Sequence, residues 1–369
     1  FIVVEYNEFE ETGYRRGKMF GFSIFLNEEL SEATFDYMEA MKNAGFTGIF
    51  TSIHIPEDDE RHTLTRLKTL ANFAKQNSME LVVDISGNAL NRIGLSFNDV
   101  SPLLEWGVTG LRMDYGIDNE TIAKLSHELI IALNASTISE KDLEELKTAH
   151  ANFSNMEAWH NYYPRPETGL GTGDFKQQNQ WLKANDFTVM TFVPGNKTFR
   201  GPLYEGLPTL EKHRGMNPFV AALEMEKLGN IDKIFIGDPE ITEEVIQQFG
   251  AYQLDNTLIF RAESISKQSE FLKGQHSNRM DAARDAIRSA EARLRKPNEV
   301  LPMIVQERPM GSITIDNDLY ERYAGEVQIT KRDLPADEKV NVVGHVLAEY
   351  KPLIAYCRPG QKFEIIWED

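Results

Sequence analysis

Short apolar runs alternate with longer amphipathic stretches along residues 20–238. The runs are rich in β-branched and aromatic residues, which is typical of parallel strands buried on both faces. Eight such runs occur, at residues 20–25, 48–53, 81–85, 110–113, 129–133, 156–160, 189–193 and 234–236. The pattern therefore predicts eight buried strands, of which the sixth is the shortest and most mixed in composition.

The stretches between these runs have the spacing of amphipathic helices. Residues 29–44 and 61–76 each place their large apolar side chains on one helical face. A further helix is predicted at residues 241–249, closing before Gly250. Residues suited to begin helices, as N-caps or just before a proline at the first helical position, are Asp118, Ser139 and Asn217.

Eight alternating strand and helix units predict a TIM (β/α)8 barrel over residues 19–249. An open, doubly wound α/β sheet is the main alternative. Residues 1–18 are interpreted as an irregular lead-in segment.

After Gly250 the pattern changes to short apolar runs separated by turn residues, which predicts a compact, mostly β domain over residues 250–369. We expect a small barrel. Residues 279–295 are charged and are predicted to form a helix or a long loop. The runs lie at residues 257–260, 312–315, 326–329, 340–346, 353–356 and 363–367.

The composition fits a folded protein of 369 residues, with 41% hydrophobic and 26% charged residues. The formal net charge of -18 disfavours nucleic acid and anionic membranes as partners. No apolar stretch approaches the roughly 18 residues of a membrane span, and the first residues lack an apolar signal-peptide core. The single cysteine, Cys357, lies in an apolar run and is expected in the core.

If the barrel is correct, the chemistry lies at the carboxyl ends of its strands. Arg112 and Asp114 are two residues apart, so they project to the same side of strand 4. Burying such charges is costly unless they face the barrel mouth. They are interpreted either as a structural ion pair or as a substrate contact and a catalytic carboxylate. Asp84 ends strand 3 and either caps the next turn or serves catalysis.

Two histidines, His54 and His160, also follow predicted strands, near Glu57, Asp84 and Asp114. Their spacing matches no metal-binding motif. We therefore predict neither a metal nor another cofactor.

Two loops carry the most informative polar residues. The loop at 160–169 combines tyrosines with arginine and glutamate, which suits sugar recognition, although a rigid proline-rich surface loop has a similar composition. The loop after strand 7 places Gly195 and Gly201 beside Lys197 and Arg200. Phosphate sites of TIM barrels often follow strands 7 and 8, and arginine binds phosphate through paired hydrogen bonds. A solvated basic loop is the alternative.

At these loops the sequence resembles the 6-phospho-N-acetylmuramidases of bacterial cell-wall recycling, the MupG-type family. The order and number of the matching segments carry the resemblance, which covers nearly the whole chain from Phe20. The segments are residues 20–25, 111–116, 160–170, 200–211, 276–279, 283–285 and 358–360.

The resemblance implies an N-terminal TIM barrel and a C-terminal cyclophilin-like β domain. It implies hydrolysis of the β-1,4 bond between 6-phospho-N-acetylmuramic acid and N-acetylglucosamine. The expected partner is thus a phosphorylated amino-sugar disaccharide, and a homo-oligomer is left open. Because sugar 6-phosphates arise during phosphotransferase uptake, the expected location is the cytoplasm.

A glycosidase usually needs two carboxyl groups, one as acid and one as nucleophile or base. Asp84 and Asp114, on neighbouring strands, are our first candidates, and Glu167 and Glu205 are the next. Glu157 is expected to point outward.

Candidate binding residues are assigned by the chemistry of the implied substrate. Arg200, Lys197 and Arg165 are assigned to the phosphate and the lactyl carboxylate, and Arg112 to a general substrate contact. His160, Asn161 and Tyr163 are assigned to hydroxyl or N-acetyl groups. Arg279 reaches in from the second domain or forms an interdomain salt bridge.

Two other functions remain open from the sequence. A barrel lyase or aldolase acting on a sugar phosphate would need a Schiff-base lysine or a metal. Only Lys197 lies near a strand end, and it lies in a loop. A non-catalytic sugar-phosphate-binding protein is the second alternative.

Overall fold

A computed structural model describes most of the chain. The described residues are 18–53, 60–85, 90, 94–113, 115–295 and 299–368. The lead-in at residues 1–17, together with His54, Glu57 and Asp114, lies outside the described residues.

The N-terminal part forms a closed barrel of eight parallel strands. Each strand pairs with the next, and β1 pairs with β8 to close the ring. The predicted TIM barrel is confirmed, and the open doubly wound sheet is excluded. The strands are β1 Met19–Ser23, β2 Gly48–Ser52, β3 Glu80–Ile85, β4 Gly110–Met113, β5 Ile130–Asn134, β6 Met156–Trp159, β7 Thr188–Val193 and β8 Lys233–Ile236.

Helices connect the strands, and the predicted caps form. Asp118 accepts the backbone N–H of Thr121, and Ser139 forms a capping box with Asp142. The helices are α1 Glu32–Asn43, α2 Glu60–Gln76, α3 Ser101–Trp106, α4 Asn119–Leu125, α5 Glu140–Thr148, α6 Thr172–Ala184, α7 Pro218–Leu228 and α8 Glu243–Asp255.

The end predicted for the last barrel helix is wrong. Helix α8 continues through Gly250 to Asp255 and stops at Asn256, whose φ of 63° forms a left-handed C-cap. A glycine inside a helix lowers its stability without ending it.

The C-terminal part forms a mixed, nearly closed seven-stranded sheet in the order β10-β15-β9-β14-β12-β13-β11. A 3₁₀ helix, Lys351–Tyr356, replaces one predicted strand, because Pro352 has no N–H for a strand ladder. Buried Cys357 follows it. The strands are β9 Thr257–Ser264, β10 Gln275–Ser277, β11 Ala286–Arg288, β12 Ser312–Asp316, β13 Val327–Thr330, β14 Val340–Val346 and β15 Lys362–Glu368.

The charged segment at 279–295 is neither one helix nor one loop. It contains strand β11 and a short helix, α9 Ala292–Arg295. Strand β11 pairs with β13 at the edge of the sheet.

The middle of the TIM barrel is filled by apolar side chains that point inward from alternating strand positions. Glycines on β1 and β2 make room for Phe235, since a Cβ at Gly21 would lie 2.3 Å from its ring. The buried members of this layer are Phe50, Val82, Ala132, Trp159, Met190, Phe192 and Phe235. The barrel is therefore packed through its centre.

A charged cluster closes the amino-terminal end of the barrel. Lys233 Nζ lies 2.7 Å from Glu157 Oε1 and also binds Glu80. Trp159 Nε1 donates to Glu157 Oε2 at 2.6 Å. The expectation that Glu157 points outward is wrong, because it shares the inward side of β6 with Trp159.

Candidate active site

Polar side chains form the layer above the apolar one, at the carboxyl ends of β2, β3 and β4. Asp84 Oδ1 accepts from Arg112 Nη1 at 2.6 Å, and Asp84 Oδ2 accepts from Ser52 Oγ at 3.1 Å. Asp84 and Arg112 are only 8% and 6% exposed. The two opposite charges therefore hold each other in a defined orientation below the barrel mouth.

The loop after β6 extends this network across the mouth. Arg112 Nη2 donates to Asn161 Oδ1, and the Asn161 carbonyl accepts from Thr209 Oγ1 at 2.9 Å. The next residue, Tyr162, packs its ring against Phe192, with the ring centres 5.1 Å apart. The loop is thus tied to the top of the apolar layer.

Arg200, in the loop after β7, completes the arrangement. Its Nη1 donates to Tyr162 Oη, and its guanidinium lies 4.0 Å from the centre of the Phe25 ring. Burial raises the pKa of Tyr162, Arg200 and Arg112 lower it, and Asp84 raises it. Tyr162 therefore experiences the charges on both sides of the mouth. We call Ser52, Asp84, Arg112, Asn161, Tyr162 and Arg200 the mouth cluster.

Asp238, directly after β8, fixes the backbone that carries Arg200. Its buried carboxylate accepts the backbone N–H groups of Gly195 and Leu207, both at 2.8 Å, and of Arg200 at 3.3 Å. Gly195 is required for this approach, since a Cβ there would lie 2.6 Å from Asp238 Cβ. Burial raises the pKa of Asp238, and these backbone hydrogen bonds lower it.

Arg214 joins the loops that follow β6 and β7. Its guanidinium pairs with Glu211 at 2.6 Å through Nε and 2.7 Å through Nη2. The same group donates to the carbonyls of Glu205 at 3.1 Å, Gly206 at 3.0 Å and Tyr163 at 2.9 Å. One side chain therefore sets the spacing between the two loops.

Glu211 also joins the loops that follow β6 and β7. Its carboxylate accepts the backbone N–H groups of Glu167 at 2.9 Å and Gly169 at 2.8 Å. Hydrogen bonds from Arg214, followed by these backbone bonds, hold the pKa of Glu211 at about 2. It therefore stays ionised near neutral pH.

Several predicted site residues lie at the rim of the mouth. Tyr163 Oη lies 3.3 Å from Ser136 Oγ, after β5. Lys197 is exposed, with its Nζ 3.5 Å from Glu240. Arg165, Glu167 and Glu205 have exposed side chains, and the contacts described for them are made by their backbones.

His160 does not face the mouth. It follows the inward-pointing Trp159 and therefore points outward, toward α6. Its Nε2 lies 2.6 Å from Asn179 Oδ1, and its ring packs at a tilt against Phe175, with the ring centres 4.7 Å apart. Burial lowers the pKa of His160 to about 4. This position gives no support to the predicted substrate contact.

Arg279 pairs within the C-terminal sheet, with Asp281 at 2.9 Å and Glu326 at 3.8 Å. These partners do not form the predicted interdomain salt bridge. Among the described residues, no three His, Cys, Asp or Glu side chains lie close enough together to hold a metal ion.

The sequence pattern places Tyr162 only in the loop suited to sugar recognition and predicts no role for Glu211, Arg214 or Asp238. Asp238 and Tyr162 follow strand ends, so the strand-end rule could have included them. Glu211 and Arg214 act on loops about 40 to 50 residues away in sequence. No local pattern marks such contacts.

Comparison with known proteins places this architecture in a family. The sequence models for the N-terminal and C-terminal domains of 6-phospho-N-acetylmuramidase match residues 20–251 and 257–366. The chain belongs to this family. As a 6-phospho-N-acetylmuramidase family member, the protein is an enzyme of the glycosidase class.

Two solved structures resemble this family member over nearly the full length. A conserved Enterococcus faecalis protein of unknown function is 46% identical, with 95% of this chain and 96% of that chain covered and a TM-score of 0.88. An uncharacterised B. cereus protein is 26% identical, with coverage of 95% and 99% and a TM-score of 0.70. No curated protein matches the sequence. None of the described helices has the length and apolar character needed to cross a membrane.

Proposed function

We propose that the protein hydrolyses the β-1,4 bond between 6-phospho-N-acetylmuramic acid and N-acetylglucosamine, in the cytoplasm, during peptidoglycan recycling. One observation carries the proposal beyond the family membership. The mouth cluster combines a buried, oriented carboxylate, Asp84, with a guanidinium, Arg200, at the same end of the barrel. This combination suits a substrate that has a glycosidic bond and a separate anionic group.

Asp84 is proposed as the carboxylate that acts at the anomeric carbon, as nucleophile or base. Its ion pair with Arg112 favours the charged form, and Ser52 orients its second oxygen. A charged carboxylate is suited to this role and unsuited to the role of general acid. Asp114, which follows Arg112 by two residues, is proposed as the acid.

Arg200 is proposed to bind the 6-phosphate. A guanidinium is permanently charged and offers five N–H donors, which can grip phosphate oxygens in pairs. Phe25 supports one face of the group, Tyr162 holds one N–H, and Asp238 fixes the backbone. The loop position after β7 is typical of phosphate sites in this fold.

The test uses the 6-phosphorylated disaccharide and its unphosphorylated counterpart, with the released sugars measured by mass spectrometry. Cleavage of the phosphorylated compound alone is expected. Equal rates on the two compounds would refute phosphate recognition. Binding of the phosphorylated compound without cleavage would refute hydrolysis and favour a binding protein.

A further inference from the structure

The hydroxyl group of Tyr162 has a constrained hydrogen-bonding state. Arg200 donates to Tyr162 Oη, and a guanidinium has no acceptor atom. The phenolic oxygen must therefore be the acceptor in this bond, and its own proton is directed elsewhere. Within the described residues, no hydrogen bond from this hydroxyl to an acceptor is found.

The position of this hydroxyl is fixed by packing. The Tyr162 ring lies against Phe192 and Phe50 at the top of the apolar layer, with ring centres 5.1 and 6.3 Å away. The residue is partly exposed, and its hydroxyl lies beside Arg200 in the loop after β7. Burial raises the pKa of Tyr162, so the hydroxyl keeps its proton at neutral pH.

We propose that Tyr162 is a substrate-contacting residue, which donates its phenolic hydrogen bond to an oxygen of the sugar held between Asp84 and Arg200. The assignment rests on the proposed function, since it names a further contact within the same site. No proton is transferred in this role. The hydroxyl orients the sugar over Asp84, while its oxygen simultaneously orients Arg200.

A purely structural role for Tyr162 predicts a different outcome. If the hydroxyl served only to hold Arg200, its removal would reproduce the loss of Arg200 and weaken phosphate recognition. If it donates to the sugar, its removal weakens binding or turnover of the sugar but leaves the preference for phosphate intact. The two roles are therefore separable by measuring phosphate preference independently of rate.

The experiment compares Tyr162→Phe with Arg200→Gln in the full chain. The control is Tyr320→Phe, which removes a tyrosine hydroxyl that donates to Asp337 at 3.2 Å in the C-terminal domain. For each variant, kcat and KM are measured on the phosphorylated disaccharide. Calorimetry gives the affinities for N-acetylmuramic acid with and without the 6-phosphate, and a thermal melt verifies folding.

The expected result for Tyr162→Phe is a fall in kcat/KM of about 10- to 100-fold, the usual cost of a lost polar contact to a ligand. Its phosphate preference is expected to equal that of the wild type, whereas Arg200→Gln loses it. Tyr320→Phe is expected to behave as the wild type.

Unchanged kcat/KM and affinity in a folded Tyr162→Phe protein would overturn the assignment. Loss of phosphate preference in this variant would overturn it as well, and would make Tyr162 a positioning residue for Arg200. A wild-type protein that binds the sugar phosphate without cleaving the disaccharide would instead refute the proposed hydrolysis. The affinities of Tyr162→Phe would then still decide the role of its hydroxyl.

Discussion

Asp84 and Arg112 form a 2.6 Å ion pair across adjacent barrel strands, and both side chains are almost fully buried. Burying two charges has a desolvation cost that their attraction often fails to recover, so stability alone is a weak reason for the pair. Its place at the carboxyl ends of β3 and β4 is where TIM-barrel enzymes carry their reacting groups. We interpret the pair as orienting a charged catalytic carboxylate.

Asp84→Asn removes the charge and keeps the shape of the side chain. We expect kcat on the phosphorylated disaccharide to fall by about 10²- to 10⁴-fold, the range for loss of a group directly involved in proton transfer or covalent catalysis. Circular dichroism and a thermal melt establish that the variant is folded. Near-normal turnover would exclude Asp84 from the reaction.

Arg200→Gln is expected to raise KM for the phosphorylated disaccharide by roughly 10- to 100-fold, because a charge-assisted contact contributes about 1.5–3 kcal/mol. Added salt should raise the KM of the wild type more than that of the variant. Arg322→Gln is the matched control, since Arg322 also donates to a tyrosine hydroxyl, at 2.8 Å, far along the chain. Equal salt dependence in the wild type and Arg200→Gln would contradict the phosphate assignment.

The Glu211–Arg214 pair predicts a specific acid sensitivity. The folded protein holds the pKa of Glu211 at about 2, below its ordinary value of 4.5, with the Arg214 hydrogen bonds as the main cause. A depressed carboxylate pKa contributes stability that is present above the ordinary value and is lost as the pH falls toward 2. The melting temperature of Glu211→Gln should therefore lie below that of the wild type at pH 6 and approach it near pH 2.

Glu270→Gln provides the comparison for this acid sensitivity. Glu270 pairs with Lys273 at 2.6 Å, but both side chains are more than 60% exposed, so the pair contributes little. The melting temperature of Glu270→Gln should therefore equal that of the wild type across the whole pH range. If Glu211→Gln does the same, the pair does not hold the two loops together.

Lys233→Met leaves two carboxylates at the barrel base without their counter-charge. We expect a loss of about 3–5 kcal/mol in the free energy of unfolding, measured with urea, because breaking a buried pair from one side strands the other charge. Lys183→Met, at a more exposed pair with Asp232, should cost about 0–1 kcal/mol. An unchanged free energy of unfolding in Lys233→Met would show that the charged cluster at the amino-terminal end does not stabilise the barrel.

The sequence was most informative where a short-range rule governs the structure. A spacing of two residues fixes which strand side chains share a face, so the inward direction of Arg112 could be predicted once a barrel was assumed. The same rule could not give the directions of His160 and Glu157 from the sequence, because it does not say which side of a strand faces inward. The sixth strand is short and mixed, so its inward side could not be identified before Trp159 was seen in the apolar layer.

Contacts between distant loops could not be predicted at all. Arg214 reaches the carbonyl of Tyr163, and Asp238 reaches the N–H of Gly195, through folded geometry rather than sequence spacing. The local composition of 211–214 resembles that of any charged surface turn. The side chains that shape the site were therefore less visible in the sequence than the strands that support it.

The closed amino-terminal end of the barrel restricts how ligands can enter and leave the site. Lys233 and its two carboxylates block one end, and the ring of Phe235 and its neighbours fills the middle. Within the described residues, the barrel interior therefore offers a ligand no passage from the mouth to the base. Substrate and products must therefore bind and leave on the mouth side of the barrel. A slowly released sugar phosphate would then delay binding of the next substrate molecule.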